Sequence, residues 1–222
     1  VDAPAVLTPL ALTLKVATLA TLAAFALGLG GGYAVARMRF PGRETLDAVL
    51  TLPMVLPPTV LGYYLLVVIG RNGLIGGWLE SWFGVTLIFT WQGAVIAAAV
   101  VCFPLVFKAA RAAFEGVERD LEDAARTVGM PEPLVFLRVT LPLAWRGILA
   151  GVLLAYARAM GEFGATLMVA GSIPGRTQTL SLSVYDAVQA GADAVATTLV
   201  IVTSLACVVL LVSSGRVLRP RL

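Results

Sequence analysis

The sequence predicts an all-α integral membrane protein of about five transmembrane helices, and three observations predict it. Hydrophobic residues make up 59% of the 222, with a mean hydropathy of +0.92, against roughly 45–50% apolar residues in a soluble domain. Only 13% of residues are charged, about half the usual share of roughly 25%. The apolar residues also gather into five stretches long enough to cross a bilayer, which takes about 20 residues each.

The first stretch runs from about Pro9 to Ala36. It is too long for a signal peptide, and no clear cleavage pattern follows it. Its one charge, Lys15, can snorkel to the membrane surface. Gly28, Gly30, Gly31 and Gly32 crowd its second half, as small residues do where membrane helices pack closely. The second stretch, about Leu46 to Ile69, holds Pro53, Pro57 and Pro58 and is expected to be kinked or partly broken. Proline frees backbone carbonyls, which repel anions, so this kink shapes a cavity better than it binds one. The third stretch runs from about Val85 to Phe107, with Pro104 near its end. The fourth runs from about Leu143 to Ala170 and carries Arg158 and Glu162. The fifth covers about Ala194 to Val212.

The connections set the topology. Arg37, Arg39 and Arg43 follow the first span. Lys108, Arg111, Arg119, Arg126, Arg138 and Arg146 lie in or beside the long polar segment between spans three and four, and Arg216, Arg219 and Arg221 sit near the C-terminus. Five spans bring these regions to one side, where they hold twelve of the sixteen basic residues. The positive-inside rule then places the N-terminus outside and the C-terminus in the cytoplasm. The net charge of +3 reflects topology, not nucleic-acid binding. The segment Ile173–Gly191 is not apolar enough to span and reads as an external loop with a short surface or re-entrant helix.

Several function classes are excluded or weakened. The chain has no histidine, the commonest general base and metal ligand. Cys102 and Cys207 lie in apolar runs and fit no zinc or redox spacing, so they read as buried small hydrophobes. There is no nucleophile elbow, which argues against a membrane enzyme. The glycine-rich GRNGLIGG at 70–77 lacks the Lys-Ser/Thr ending of a phosphate loop, so this chain is not expected to hydrolyse ATP. No inverted repeat of the secondary-carrier kind is visible, although a stand-alone anion carrier or channel remains the alternative of a different class.

The only long polar segment is Lys108–Trp145. Glu115, Glu118, Arg119, Asp120, Glu122, Asp123 and Arg126 are spaced for a helix, with Glu122 and Arg126 as an i,i+4 pair. Leu121, Ala124, Ala125 and Val128 form its apolar stripe. Gly129 ends it as a C-terminal cap, Pro131 and Pro133 forbid continuation, and a second element, Leu134–Leu141, leads back to the membrane at Pro142. This segment reads either as a solvated connector or as a small-residue helix able to enter a cleft on a partner.

The order Asp123-Ala124-Ala125, Gly129, Val139, Leu141, Pro142 resembles the signature of binding-protein-dependent ABC importer permeases: Glu-Ala-Ala, three residues, Gly, nine residues, Ile, one residue, Leu-Pro. Asp stands for Glu, with Glu122 beside it, and Val stands for Ile. LPMVLPPTVLGYYLLVVIGRNGLIG at 52–76, YARAMGEFGAT at 156–166 and IPGRTQTL at 173–180 are similar to molybdate permease subunits of the ModB type, a likeness that runs from about Leu10 to Leu210. The resemblance implies the type I ABC importer permease fold over 1–222 as a single transmembrane domain, with a cytoplasmic coupling loop at 115–135. In it Glu122, Asp123, Ala124, Ala125, Gly129, Leu141 and Pro142 couple to an ATPase. It implies a homodimer with two ABC ATPase subunits, which bind ATP and Mg, and an extracytoplasmic oxyanion-binding protein. This chain is expected to bind no cofactor, metal or nucleic acid. The setting implied is the inner membrane of a prokaryote and the cargo molybdate, with tungstate, sulfate or thiosulfate as alternatives. Some members carry one more N-terminal span. This chain is expected to lack it, and to lack a cargo-sensing domain after residue 215.

Arg158 and Glu162, expected mid-span on one helix face, are ionisable residues inside the membrane and so candidates for function. With Gly161, Gly164 and Thr166 they form a candidate translocation path or gate. Arg158 either offers a fork to a passing oxyanion or closes on Glu162 as a structural ion pair.

Overall fold

The computed structural model describes residues 3–38 and 40–218. Arg39, Arg219 and Arg221, used above for topology, lie outside the described residues. Eleven helices follow in order among them: α1 Ala3–Arg37, α2 Arg43–Val55, α3 Pro58–Ile69, α4 Leu74–Phe83, α5 Trp91–Glu115, α6 Arg119–Thr127, α7 Glu132–Val135, α8 Leu141–Met160, α9 Gly164–Ala170, α10 Leu180–Gln189 and α11 Asp193–Leu218. A π-helical turn, Phe136–Thr140, joins α7 to α8.

Four helices are long and apolar enough to cross a membrane: Ala5–Arg37, Trp91–Glu115, Glu132–Met160 and Asp193–Leu210. A fifth passage exists only if α2 and α3 are taken together, and these meet at a bend of 112°. The second span is therefore a sharp corner and not a kinked rod. The cause is the Pro57-Pro58 pair. Each proline drives the residue before it out of the helical region, and Leu56 and Pro57 are both extended, at ψ 140° and 137°. Pro53 is accommodated inside α2.

Two other span limits move. The third starts at Trp91, not Val85: Phe89 takes a left-handed backbone at φ 56°, and Thr90 caps the helix by accepting from Gly93 N at 3.2 Å. It then runs past Phe107 to Glu115. The fourth is not continuous to Ala170, because α8 ends at Met160 and α9 begins afresh at Gly164.

The core lies where α1 and α8 pack on α5. Ala17, Ala20, Ala24, Ala94, Ala98 and Cys102 are buried there, and their small side chains let the backbones approach. The glycine run of α1 contributes as expected: a Cβ on Gly32 would lie 2.8 Å from Ala110 Cβ, and one on Gly28 3.0 Å from Val106 Cγ1, whereas Gly30 faces open space. On α8, a Cβ at Gly151 would lie 2.2 Å from Ala109 Cβ. Close packing of this kind replaces the hydrophobic effect, which does not drive association inside lipid.

Lys15 sits over the Trp91 ring at 3.5 Å from its centroid, a cation–π contact between α1 and the start of α5. At the opposite end Asp47 of α2 bridges Lys108 and Arg111 of α5, each at 2.5 Å. The helix expected within 173–191 is present as α10, but it is packed inward: Leu180, Leu182, Ser183 and Ala187 are buried. Leu180 N donates to Thr13 Oγ1 of α1 at 2.8 Å.

Candidate functional site

Two clusters carry the chemistry, one at each end of α8. The first is the break between α8 and α9. Arg158 stands in the last turn of α8 and Glu162 in the non-helical link, so the pair does not lie mid-helix as the sequence suggested. The spacing still brings them together: Arg158 Nη1 lies 2.7 Å from Glu162 Oε2. Glu162 is only 3% exposed. Its other oxygen accepts from Ala165 N at 2.9 Å and so satisfies an orphan donor at the start of α9. The carboxylate thus does two jobs, pairing the arginine and starting the next helix.

Gly161 and Gly164 allow the break. A Cβ at Gly164 would lie 2.8 Å from Pro58 Cβ, so the start of α9 rests on the start of α3, just beyond the bend. Thr166 is buried within α9 and is not among the residues lining the adjacent cavity. That cavity, about 260 Å³, is lined by Pro53, Met54, Leu56, Pro58, Leu61, Val101, Leu105 and Arg158. Pro53 and Pro58 thus line this cavity, and Pro57 stands at the bend between α2 and α3. Arg158 is its one charged lining residue, with a side chain 37% exposed. A guanidinium has five donors in a planar fork. Glu162 occupies one edge, which leaves donors for an anion while neutralising most of the charge.

The second cluster is the loop between α5 and α8. Gly129 has φ 82°. Gly129 N donates to Arg126 O at 2.9 Å and Met130 N to Ala125 O at 3.2 Å, the paired bonds of a Schellman cap. The expected stripe divides. Ala125 is buried against the protein, while Leu121, Ala124 and Val128 are exposed, Val128 to 79%. Leu141 and Pro142 open α8.

The expected Glu122–Arg126 pair does not form. Arg126 turns outward to Glu132, at 2.6 Å, and to Asp123, at 2.6 Å, and these bonds push its pKa above the usual arginine value. Glu122 turns inward and is 4% exposed. Its Oε1 accepts from Arg37 Nη2 at 2.8 Å and from Thr140 Oγ1 at 2.6 Å. Sequence reasoning missed Arg37 and Thr140. The available signal was a cation ending the first span and a hydroxyl inside the Val139–Pro142 motif, but no spacing rule joins residues 85 apart.

The fold is that of the type I ABC importer permeases. The methionine transporter MetNI in an inward-facing conformation matches with a TM-score of 0.75, covering 99% of this chain and 98% of that one at 18% identity. Residues 24–222 match the family described as binding-protein-dependent transport system inner membrane component, and the chain belongs to that family. It is 47% identical over 214 residues to the molybdenum transport system permease protein ModB of Escherichia coli (strain K12), covering 95% of this chain and 93% of that protein. It is 46% identical over 178 residues to ModB of Haemophilus influenzae, covering 80% and 78%.

Proposed function

We propose that this chain is the membrane-spanning permease subunit of an ATP-driven importer for molybdate. Two copies enclose a path on their shared axis, two ATPase subunits dock on the α6 loops, and an external binding protein delivers the anion. The N-terminus lies outside and the loop at 115–135 in the cytoplasm, in accord with the distribution of basic residues.

The observation that carries this reading is α6: a short helix with Leu121, Ala124 and Val128 bare on its outer face, locked by the Gly129 cap. A bare apolar face held rigidly outside the membrane fits insertion into a cleft of a partner. ATP-driven closure of that partner moves the loop. The anion path responds because each ligand prefers one state of the assembly. Arg158, neutralised by Glu162, gives the dianion a weak station. Weakness is required, since a conducted ion must leave as readily as it enters.

The test is reconstitution with the ATPase and binding protein in proteoliposomes. ATP-dependent molybdate uptake is expected, with sulfate and tungstate as competitors. Uptake at full rate without nucleotide would instead support a secondary carrier. Stronger competition by sulfate than by tungstate would reassign the cargo.

A further inference from the structure

The Glu122 carboxylate is an unusual place to spend a charge. It lies on the exposed coupling segment yet is buried, and it ties together three elements that are distant in sequence. Arg37 is the last residue of α1, where a cation is favoured by the helix dipole. Its Nη2 reaches both Glu122 Oε1 and the carbonyl of Val117, at 2.8 and 3.2 Å, and so grips the turn before α6 as well as α6 itself. Thr140 belongs to the π-helical turn, a local irregularity that often marks a functional position, and its hydroxyl donates to the same oxygen. Under this polar knot the rings of Tyr33, Phe114 and Phe136 pack edge-on or tilted, with centroids 4.8 to 6.0 Å apart. They join α1, α5 and the π turn.

Thr140 leads directly into α8, and Arg158 lies in the last turn of α8. Glu122 therefore stands at the near end of a helix whose far end holds the ion pair beside the cavity. Asp123, Arg126 and Glu132, in contrast, bond only among themselves at the surface.

We propose that Glu122, held by Arg37 and Thr140, is the positioning residue that fastens the coupling helix to α1 and α8. Displacement of the docked ATPase then turns α8 and moves Arg158, instead of bending the loop. This inference rests on the transport reading above. A loop joined only by its backbone would flex at its two ends and lose the motion. The buried ion pair and hydroxyl turn loop, α1 and α8 into one body.

The experiment compares wild type, Glu122→Gln, Glu122→Asp and Thr140→Val, each co-expressed with the ATPase and reconstituted with the binding protein and molybdate. Co-purification of the ATPase is scored first, then ATP hydrolysed per molybdate imported. Glu122→Gln is expected to keep the ATPase bound and to raise that ratio at least tenfold. Glu122→Asp, which keeps the charge, and Thr140→Val, which removes one bond, are expected to fall between. A wild-type ratio in Glu122→Gln overturns the proposal. So does loss of the ATPase from both Glu122→Gln and Thr140→Val, which would assign the cluster to shaping the docking surface. If wild type itself shows no ATP-dependent uptake, the transport reading fails, whatever the variants do.

Discussion

Replacing Glu162 by glutamine separates the two jobs of its carboxylate. Glutamine keeps an acceptor oxygen for Ala165 N but leaves Arg158 without its counter-charge. At an effective dielectric of about 20, unit charges about 4 Å apart attract by roughly 4 kcal/mol. Arg158 is 37% exposed, so solvent screens much of that. Fully exposed pairs contribute about 0.2–1 kcal/mol and breaking fully buried ones costs about 3–5 kcal/mol. A half-open pair falls between, at about 1–2 kcal/mol. With about 1.4 kcal/mol per factor of ten, the freed guanidinium should hold an oxyanion roughly tenfold longer, and uptake should fall by a similar factor. Glu162→Ala also removes the acceptor at the start of α9, costing a further ~0.5–2 kcal/mol. The assays are ATP-driven molybdate uptake in proteoliposomes and thermal unfolding in detergent. Wild-type uptake by Glu162→Gln would refute the role of the ion pair. Equal melting of Glu162→Gln and Glu162→Ala would refute the capping role.

Four further outcomes are expected. Gly151→Leu drives a Cβ to 2.2 Å from Ala109 Cβ and should cost about 1–3 kcal/mol through overpacking, lowering the melting midpoint. Gly30→Leu, with nothing within 4 Å, should leave it nearly unchanged, since it points away from every neighbour. Gly129→Ala meets no steric obstacle but must hold φ 82° at a cost of about 1–2 kcal/mol. It should fray the α6 cap and weaken ATPase co-purification roughly tenfold without affecting membrane insertion. Val128→Glu places a charge on the bare face of α6 and should abolish co-purification while the permease expresses at its normal level.

What the sequence revealed and what it hid divide by the range of the interaction. The Gly129 cap and the Arg158–Glu162 approach depend on neighbours within a few turns, so spacing exposed them, and the α1 glycine run was visible as composition although its partner, α5, was not. The proline pair exposed a distortion between α2 and α3, but not its size. The 112° corner is backed by α9, with Gly164 against Pro58 and Gly62 against Met168, contacts that no local rule reveals. The break at Gly161 was hidden because hydropathy continues across it: GEFGATLMVA is apolar enough to pass for helix. Glu122 is the clearest failure. An i,i+4 rule pointed it at Arg126, a bond worth only about 0.2–0.5 kcal/mol on a helix surface. Burial instead gave it to Arg37, where losing a partner leaves a buried charge uncompensated.

That choice of partner bears on how a small loop can operate a path across the membrane. α7, the π turn and α8 form one helical body from Glu132 to Met160, which at about 1.5 Å per residue spans roughly 40 Å. A rod of that length carries a displacement from one end to the other as long as it moves as one body. The near end is clamped by Glu122, Thr140 and the ring cluster. Along its middle it lies close on α5 at Gly147 and Gly151, and Ile148, Ala155 and Met160 bury their side chains in the clusters shared with that helix. At the far end Ala159 and Met160 are buried in the core, the helix stops, and the Glu162 carboxylate links Arg158 to the start of α9 beside the cavity. The buried Glu122 contacts thus lie beside the bare face of α6, and the Arg158–Glu162 pair, open to solvent on the arginine side, lies beside the cavity. Under the proposed function that arrangement suits a lever, and a passive pore has no need of it.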